Sequence, residues 1–254
     1  MALDIPSIPS RITARLDDRP VRKRIALVAL ATDHTSERDF ARICDPDLVG
    51  VYVNRIGFEN PTTKETLLRT GPRLTEAATQ ILPDEDVDVV AYACTAASIV
   101  LGNDAVTRHL NAAKPGTPCV TPSSAAFDAF RALGIKTVSV LTPYSADVTE
   151  ELAQYFQANG PDVISASHFG LTDDRDMARI SQDSIIDAGI AACDPKADAL
   201  FISCTALRAA TCVQRIEDRL GKPVVTSNQA MVWRCLRLVG FDDPVPGYGK
   251  LFEL

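Results

Sequence analysis

Apolar runs of strand length alternate along this chain with stretches of helical periodicity, and the alternation restarts halfway. Arg24 to Ala31 is, after its first residue, a continuous apolar run, as a strand buried on both faces requires. Asp47 to Asn54 reads as a second strand, Val87 to Ala93 as a third and Pro118 to Thr121 as a short fourth. Between them, Thr62 and Glu65 have the spacing of a capping box that opens a helix. Gly71-Pro72 breaks that helix, Leu74 to Leu82 continues helically, and Thr95 to Leu101 starts the next helix. The pattern then begins again. Ser123 caps a helix running through Leu133, and Gly134 ends it. Strands follow at Lys136–Leu141, Asp162–Ser167, Asp198–Ser203 and Pro223–Thr226, with helices at Ser145–Asn159, Asp176–Ala192 and Gln229–Val239. Strands alternating with helices predict an α/β fold with mostly parallel sheets.

The two halves keep step. Val87 to Ala97 and Ala197 to Leu207 share the order Asp, apolar run, Cys, Thr, small residue. Cys94 follows Ile25 by 69 positions, and Cys204 follows Thr137 by 67. A repeat this long with two members is no solenoid. It predicts two similar Rossmann-like lobes related by a pseudo-twofold axis. The expected division is a leader over residues 1–22, a first lobe over 23–122 plus 226–254, and a second lobe over 123–225. In parallel α/β sheets the ligand crevice lies at the carboxyl ends of the strands. Both cysteines sit at such ends, so the active site is expected in the cleft between the lobes.

Composition narrows the class. The chain has 254 residues, enough for a substantial core, and a net charge of −7 argues against nucleic acid as a partner. No run approaches the roughly 18 apolar residues of a membrane helix. Met1 to Arg22 lacks the apolar stretch of a secretory signal. Seven cysteines without metal-like spacing fit free thiols in a reducing cytoplasm. No glycine-rich phosphate loop follows a strand, and His34, His109 and His168 do not cluster, so neither a nucleotide cofactor nor a metal is expected.

The chemistry is carried by the paired motif. A thiol opening a helix lies near its positive end, which lowers the thiol pKa from about 8.5 toward neutrality. Thr95 and Thr205, beside the cysteines, are placed to hold a substrate oxygen or cap a helix. The N–H groups after each cysteine are suited to a carboxylate. Buried cysteine is also an ordinary small core residue, but two copies at matching positions point to Cys94 and Cys204 as a catalytic pair. Arg208 follows Cys204 by four residues and has two readings, a bidentate carboxylate clamp or a solvent-exposed surface arginine.

The duplicated strand and Cys-Thr arrangement resembles the aspartate/glutamate racemase superfamily from about Arg24 to Gly240. That group includes amino-acid and hydantoin racemases, maleate cis-trans isomerases and arylmalonate decarboxylases. Lys222 to Ala230, followed by Trp233, is most similar to the maleate isomerase branch, and Ala29 to Asp39 to the neighbouring ectoine-utilisation proteins. The resemblance implies Cys94 and Cys204 as catalytic residues and Tyr144 as a contact to a substrate carboxylate. It also sets Asp33 and Asp174 where maleate isomerases use asparagines. Asparagine can donate to a dicarboxylate, whereas ionised aspartate only accepts. Either these acids face an N–H of an amino-acid-like substrate, or they are the turn and cap residues that Asp favours anyway.

The expected function is therefore a cofactor-independent isomerase or racemase acting on a small carboxylate, with an amino-acid derivative of ectoine breakdown as one candidate. The alternatives are maleate isomerisation, decarboxylation of an arylmalonate and non-catalytic binding on the same scaffold. The decarboxylase branch uses one cysteine and this chain has both. A homodimer or higher homo-oligomer is the assembly the resemblance implies.

Overall fold

The computed structural model describes residues 7–254. Part of the expected leader, Met1 to Pro6, lies outside the described residues. Ser7 to Pro20 runs exposed and carries neither helix nor strand. The elements then follow in order: β1 (Lys23–Leu30), α1 (Ser36–Ile43), β2 (Val49–Ile56), α2 (Lys64–Leu68), α3 (Leu74–Thr79), β3 (Val89–Ala93), α4 (Thr95–Leu101), α5 (Asn103–Ala113), β4 (Cys119–Val120) and α6 (Pro122–Ala132). The second series is β5 (Thr137–Thr142), α7 (Ala146–Asn159), β6 (Asp162–His168), α8 (Asp174–Met177), α9 (Gln182–Ala192), β7 (Ala199–Ile202), α10 (Val213–Leu220), β8 (Val224–Thr226) and α11 (Ser227–Leu238).

Two four-stranded sheets result, in the orders β2-β1-β3-β4 and β6-β5-β7-β8, with every pairing parallel. The expected two-lobed α/β architecture is what the chain adopts. Within each sheet the chain steps outward from its first strand, then crosses back to the other side. The switch points therefore fall between β1 and β3 and between β5 and β7. In open α/β sheets that is where a crevice forms. The central strands are largely apolar and buried: Ile25 to Ala29 in β1 and Leu200 to Ile202 in β7 are fully enclosed. Edge strand β6 alternates exposed and half-buried residues, as a strand covered on one face does. Helix α11 packs on α6 and reaches β3 and α1, so the closing helix joins the elements around both strand ends.

Several local readings shift. The second strand runs Val49–Ile56, two residues later than expected. Thr63, not Thr62, caps α2, in a capping box with Thr66. Thr121, not Ser123, caps α6, with Pro122 in its first turn. The helix expected over 176–192 is divided into α8 and α9. Helices α1, α5 and α10 are not expected from the sequence, being short or dominated by polar residues, although their few apolar residues fall on one face. Each buries little more than one apolar pair: Phe40 and Ile43, Val106 and Leu110, Val213 and Ile216.

Candidate active site

Strand β3 ends at Ala93, and the next residue caps a helix. Cys94 has extended backbone, and its sulfur accepts the N–H of Ala97 at 3.4 Å, inside the first turn of α4. Strand β7 ends at Ile202, and Cys204 follows Ser203 in a different conformation. Its φ is +123°, in the region that favours glycine. For a residue with a side chain this stores about 1–3 kcal/mol of strain, held in place by the surrounding structure. Its sulfur accepts the N–H of Ala206 at 3.3 Å, and the Leu207 N–H also faces it. No regular helix starts here. Residues 205–209 form turns before the short 3-10 segment Ala210–Cys212, so the second motif departs from the first at this point.

The two motifs are joined by cross-connections. Ser227, the first residue of α11, accepts the backbone N–H of Cys204 at 3.0 Å and the hydroxyl of Thr95 at 2.8 Å. Thr205 donates its hydroxyl to the carbonyl of Ala93, one residue before Cys94, at 3.2 Å. Asn228 donates its amide to the Thr205 carbonyl and to Asp39, both at 2.9 Å. Burial pushes Asp39 up to about 7. The Thr35 hydroxyl donates to the Ala206 carbonyl at 2.8 Å. Residues from β3, β7, α1 and α11 thus fix both strand ends in one frame.

That frame brings the thiols to a single small cavity of about 20 Å³, lined by Cys94, Ala96, Tyr144, Cys204, Thr205 and Ala206 around the two sulfurs. Each cysteine is only 6% exposed. The expected drop in thiol pKa does not occur. Burial pushes Cys94 up to about 12 and Cys204 up to about 11, outweighing the N–H groups aimed at each sulfur. Each sulfur also faces a tyrosine hydroxyl as a donor, Tyr92 at Cys94 and Tyr144 at Cys204, while the neighbouring Cys204 holds Cys94 higher. Burial and the nearby thiols push Tyr144 well above its ordinary range, so it stays a neutral donor.

Asp33 and Asp174 both line the cavity, and both are committed to the protein. The Asp33 carboxylate accepts the N–H groups of Thr35 and Ser36, at 2.7 and 2.8 Å, and the Ser36 hydroxyl at 2.6 Å. It caps the start of α1, the plainer of its two expected roles. Burial still raises its pKa. Asp174 accepts the Asn60 amide at 2.7 Å and the Thr32 hydroxyl, and its own N–H returns to Asn60 at 3.1 Å. It ties the second lobe to the first.

Two expected contacts are not made at the cavity. Thr95 is fully buried and points to Ser227, so it braces the frame without lining the cavity. Arg208 donates to the carbonyl of Ile180 at 2.7 Å and lies off the cavity, because the turns after Cys204 replace the helix that would have aimed it inward. The remaining wall is apolar: Leu30, Phe58, Leu67 and Met177. Thr62 completes the lining, 7% exposed, and its hydroxyl has no hydrogen-bond partner. An unpaired buried hydroxyl costs about 1–3 kcal/mol. Thr62, Ser227 and Asn228 escape motif reading. Thr62 does have one signal, since it stands six residues past the end of β2, as Asp174 stands six past the end of β6. Among the described residues no cluster of His, Cys, Asp and Glu suits a metal, and no helix is long and apolar enough to cross a membrane.

Two parallel lobes that close on a pair of buried thiols define the α/β class to which cysteine-dependent racemases and isomerases belong. A family model described as arylmalonate decarboxylase matches residues 69–252. The arylmalonate decarboxylase of Bordetella bronchiseptica is 33% identical over 178 residues, covering 68% of this chain and 74% of that protein. The maleate isomerase of Geobacillus stearothermophilus is 27% identical over 199 residues, covering 75% and 79%. The crystal structure of a cysteine-to-alanine variant of the maleate isomerase from Pseudomonas putida S16, with maleate, superposes with a TM-score of 0.83 at 25% identity, covering 91% of this chain and 97% of that one. The chain belongs to the arylmalonate decarboxylase family, which also takes in maleate isomerases.

Proposed function

We propose that this protein is a cofactor-independent isomerase in which Cys94 and Cys204 act on opposite faces of a small carboxylate. The observation that carries this is the meeting of both thiols, from matching strand ends, in one cavity. In cis-trans isomerisation, the Cys94 thiolate adds to one alkene carbon and Cys204 delivers a proton to the other. The carbon–carbon bond is then single and turns. Cys204 recovers a proton and the bond to Cys94 breaks, restoring the alkene and both sulfurs. In racemisation, one sulfur removes a proton from carbon and the other thiol supplies one to the opposite face. Tyr144, the Thr205 backbone and the N–H groups opening α4 are the neutral donors for the carboxylate. Thr95, first proposed for this contact, supports it only through Ser227.

A second reading is decarboxylation of a substituted malonate. The apolar wall of Leu30, Phe58, Leu67 and Met177 favours it, since an aryl group would pack there. In that reading Cys204 alone protonates the carbanion left by carbon dioxide. The ectoine-breakdown derivative implied by the resemblance remains a candidate within the carboxylate class.

The test is a screen in deuterated water of maleate, phenylmalonate and N-acetyl-diaminobutyrate. Cys94→Ser and Cys204→Ser are each expected to cut turnover by roughly 10²–10⁴-fold. Wild-type rates in either variant would rule out a two-thiol isomerase. Carbon dioxide release that survives Cys94→Ser but not Cys204→Ser would establish the decarboxylase instead.

A further inference from the structure

One polar group in the cavity has nothing to do in the fold. Thr62 lies just ahead of α2, and Thr63 takes the capping role that the sequence pattern offers to Thr62. Its backbone is fixed across the cleft, where its N–H donates to the carbonyl of Thr172 at 2.7 Å. Its hydroxyl lines the cavity and has no partner, although the residue is more than nine-tenths buried. Buried polar side chains in folded proteins are nearly always paired. Here the fold holds the main chain rigidly and leaves the hydroxyl for something inside the cavity.

We infer that Thr62 is a specificity-determining residue whose hydroxyl hydrogen-bonds an uncharged polar group, such as an amide, carried by the small carboxylate substrate. This rests on the reading of the cavity as a carboxylate site. The rest of the lining decides the charge. Its ionisable acids are Asp33 and Asp174, and no Lys, Arg or His lines it. One carboxylate can use the neutral donors of Tyr144 and the backbone, but a second would be buried beside two acids with no cation to offset it, which weighs against the malonate reading as well. Asp33 already accepts three bonds from its own loop and Asp174 accepts from Asn60 and Thr32, which leaves each with reduced acceptor capacity for an ammonium group. The Thr62 hydroxyl can both donate and accept, which matches an amide or an alcohol.

Calorimetric titration with four unreactive acids of similar length tests this: butyrate, succinamate, succinate and 4-aminobutyrate. The wild-type protein is expected to bind succinamate about tenfold or more tighter than butyrate. Thr62→Val, which keeps the shape and removes the hydroxyl, is expected to erase that preference, while Thr62→Ser keeps it. Thermal melts of both variants confirm that they fold. Tightest binding of succinate or 4-aminobutyrate overturns the inference, as does a succinamate preference that Thr62→Val leaves intact. Failure to bind any of the four overturns it together with the carboxylate reading. Turnover by the cysteine variants is a separate measurement, so a failed two-thiol mechanism and a failed Thr62 assignment give different results.

Discussion

A thiol enclosed on every side ionises reluctantly, and in this site burial outweighs the helix end and the N–H groups. Cys94 stands at about 12 and Cys204 at about 11. Below such a pKa the thiolate fraction rises tenfold with each pH unit. If a thiolate of the free enzyme starts the reaction, kcat/KM is expected to climb by about tenfold per unit from pH 7 to 9 without levelling. A pH–rate profile that is flat across that range would show that the working thiol is not held in its neutral form. Removing the Tyr144 donor with Tyr144→Phe raises the Cys204 pKa further and makes Cys204 a weaker acid for the proton it delivers, so kcat/KM should fall across this range with its slope unchanged. Cys94 and Cys204 are legible in the sequence because their motif is duplicated. Their ionisation is not, because the helix end is local in sequence whereas the burial that overrides it comes from elements far apart along the chain. Asp33 is a parallel case. Its position is legible, but its commitment to Thr35 and Ser36 is a matter of rotamer and loop geometry.

At the level of elements, strand ends set the site and the start of α11 locks it. Ser227 receives Cys204 N–H and the Thr95 hydroxyl together, so one side chain holds both motifs. Ser227→Ala leaves two buried donors unpaired, each costing about 1–3 kcal/mol. The melting temperature should fall, and turnover should fall by roughly 10²-fold, since a displacement of about 1 Å is enough to do that. Assayed well below the melting transition, a loss of stability with unchanged kcat would show that Ser227 supports the fold without positioning the thiols. The strands were readable because parallel, doubly buried β1, β3 and β7 are nearly unbroken apolar runs. Helices α1 and α10 were not expected, because each is only eight residues long and mostly charged, although its apolar residues do fall on one face. The expected helix after Cys204 fails for a different reason: the backbone turns at a positive φ, which the resemblance to the first motif conceals.

The whole molecule adds closure, because the cavity is shut by contacts that run from one lobe to the other. Asn60 and Thr32 of the first hold Asp174 of the second, and the Thr62 N–H reaches the Thr172 carbonyl. Lys64 also pairs with Glu151 at 2.8 Å, but both side chains are largely exposed, so this bridge contributes about 0–1 kcal/mol. The part-buried Asn60–Asp174 pair is the stronger tie, since its two hydrogen bonds are better shielded from water than the Lys64–Glu151 bridge and contribute about 0.5–1.5 kcal/mol each. The two cysteines are each only 6% exposed, so substrate and thiol reagents are expected to enter by loosening these ties. Asn60→Ala should therefore shift the lobes toward the open form by roughly 10- to 100-fold, at about 1.4 kcal/mol per factor of ten. Alkylation of Cys94 and Cys204 at fixed pH, followed by peptide mass spectrometry, should accelerate by that factor. Half-buried Cys119 and Cys193 lie off the cavity and serve as internal references whose rates should not change. Lys64→Ala should accelerate neither catalytic thiol by more than a few fold. Equal acceleration at all four cysteines would indicate general loosening of the fold, and no acceleration at Cys94 and Cys204 would mean that the cleft opens without parting Asn60 from Asp174.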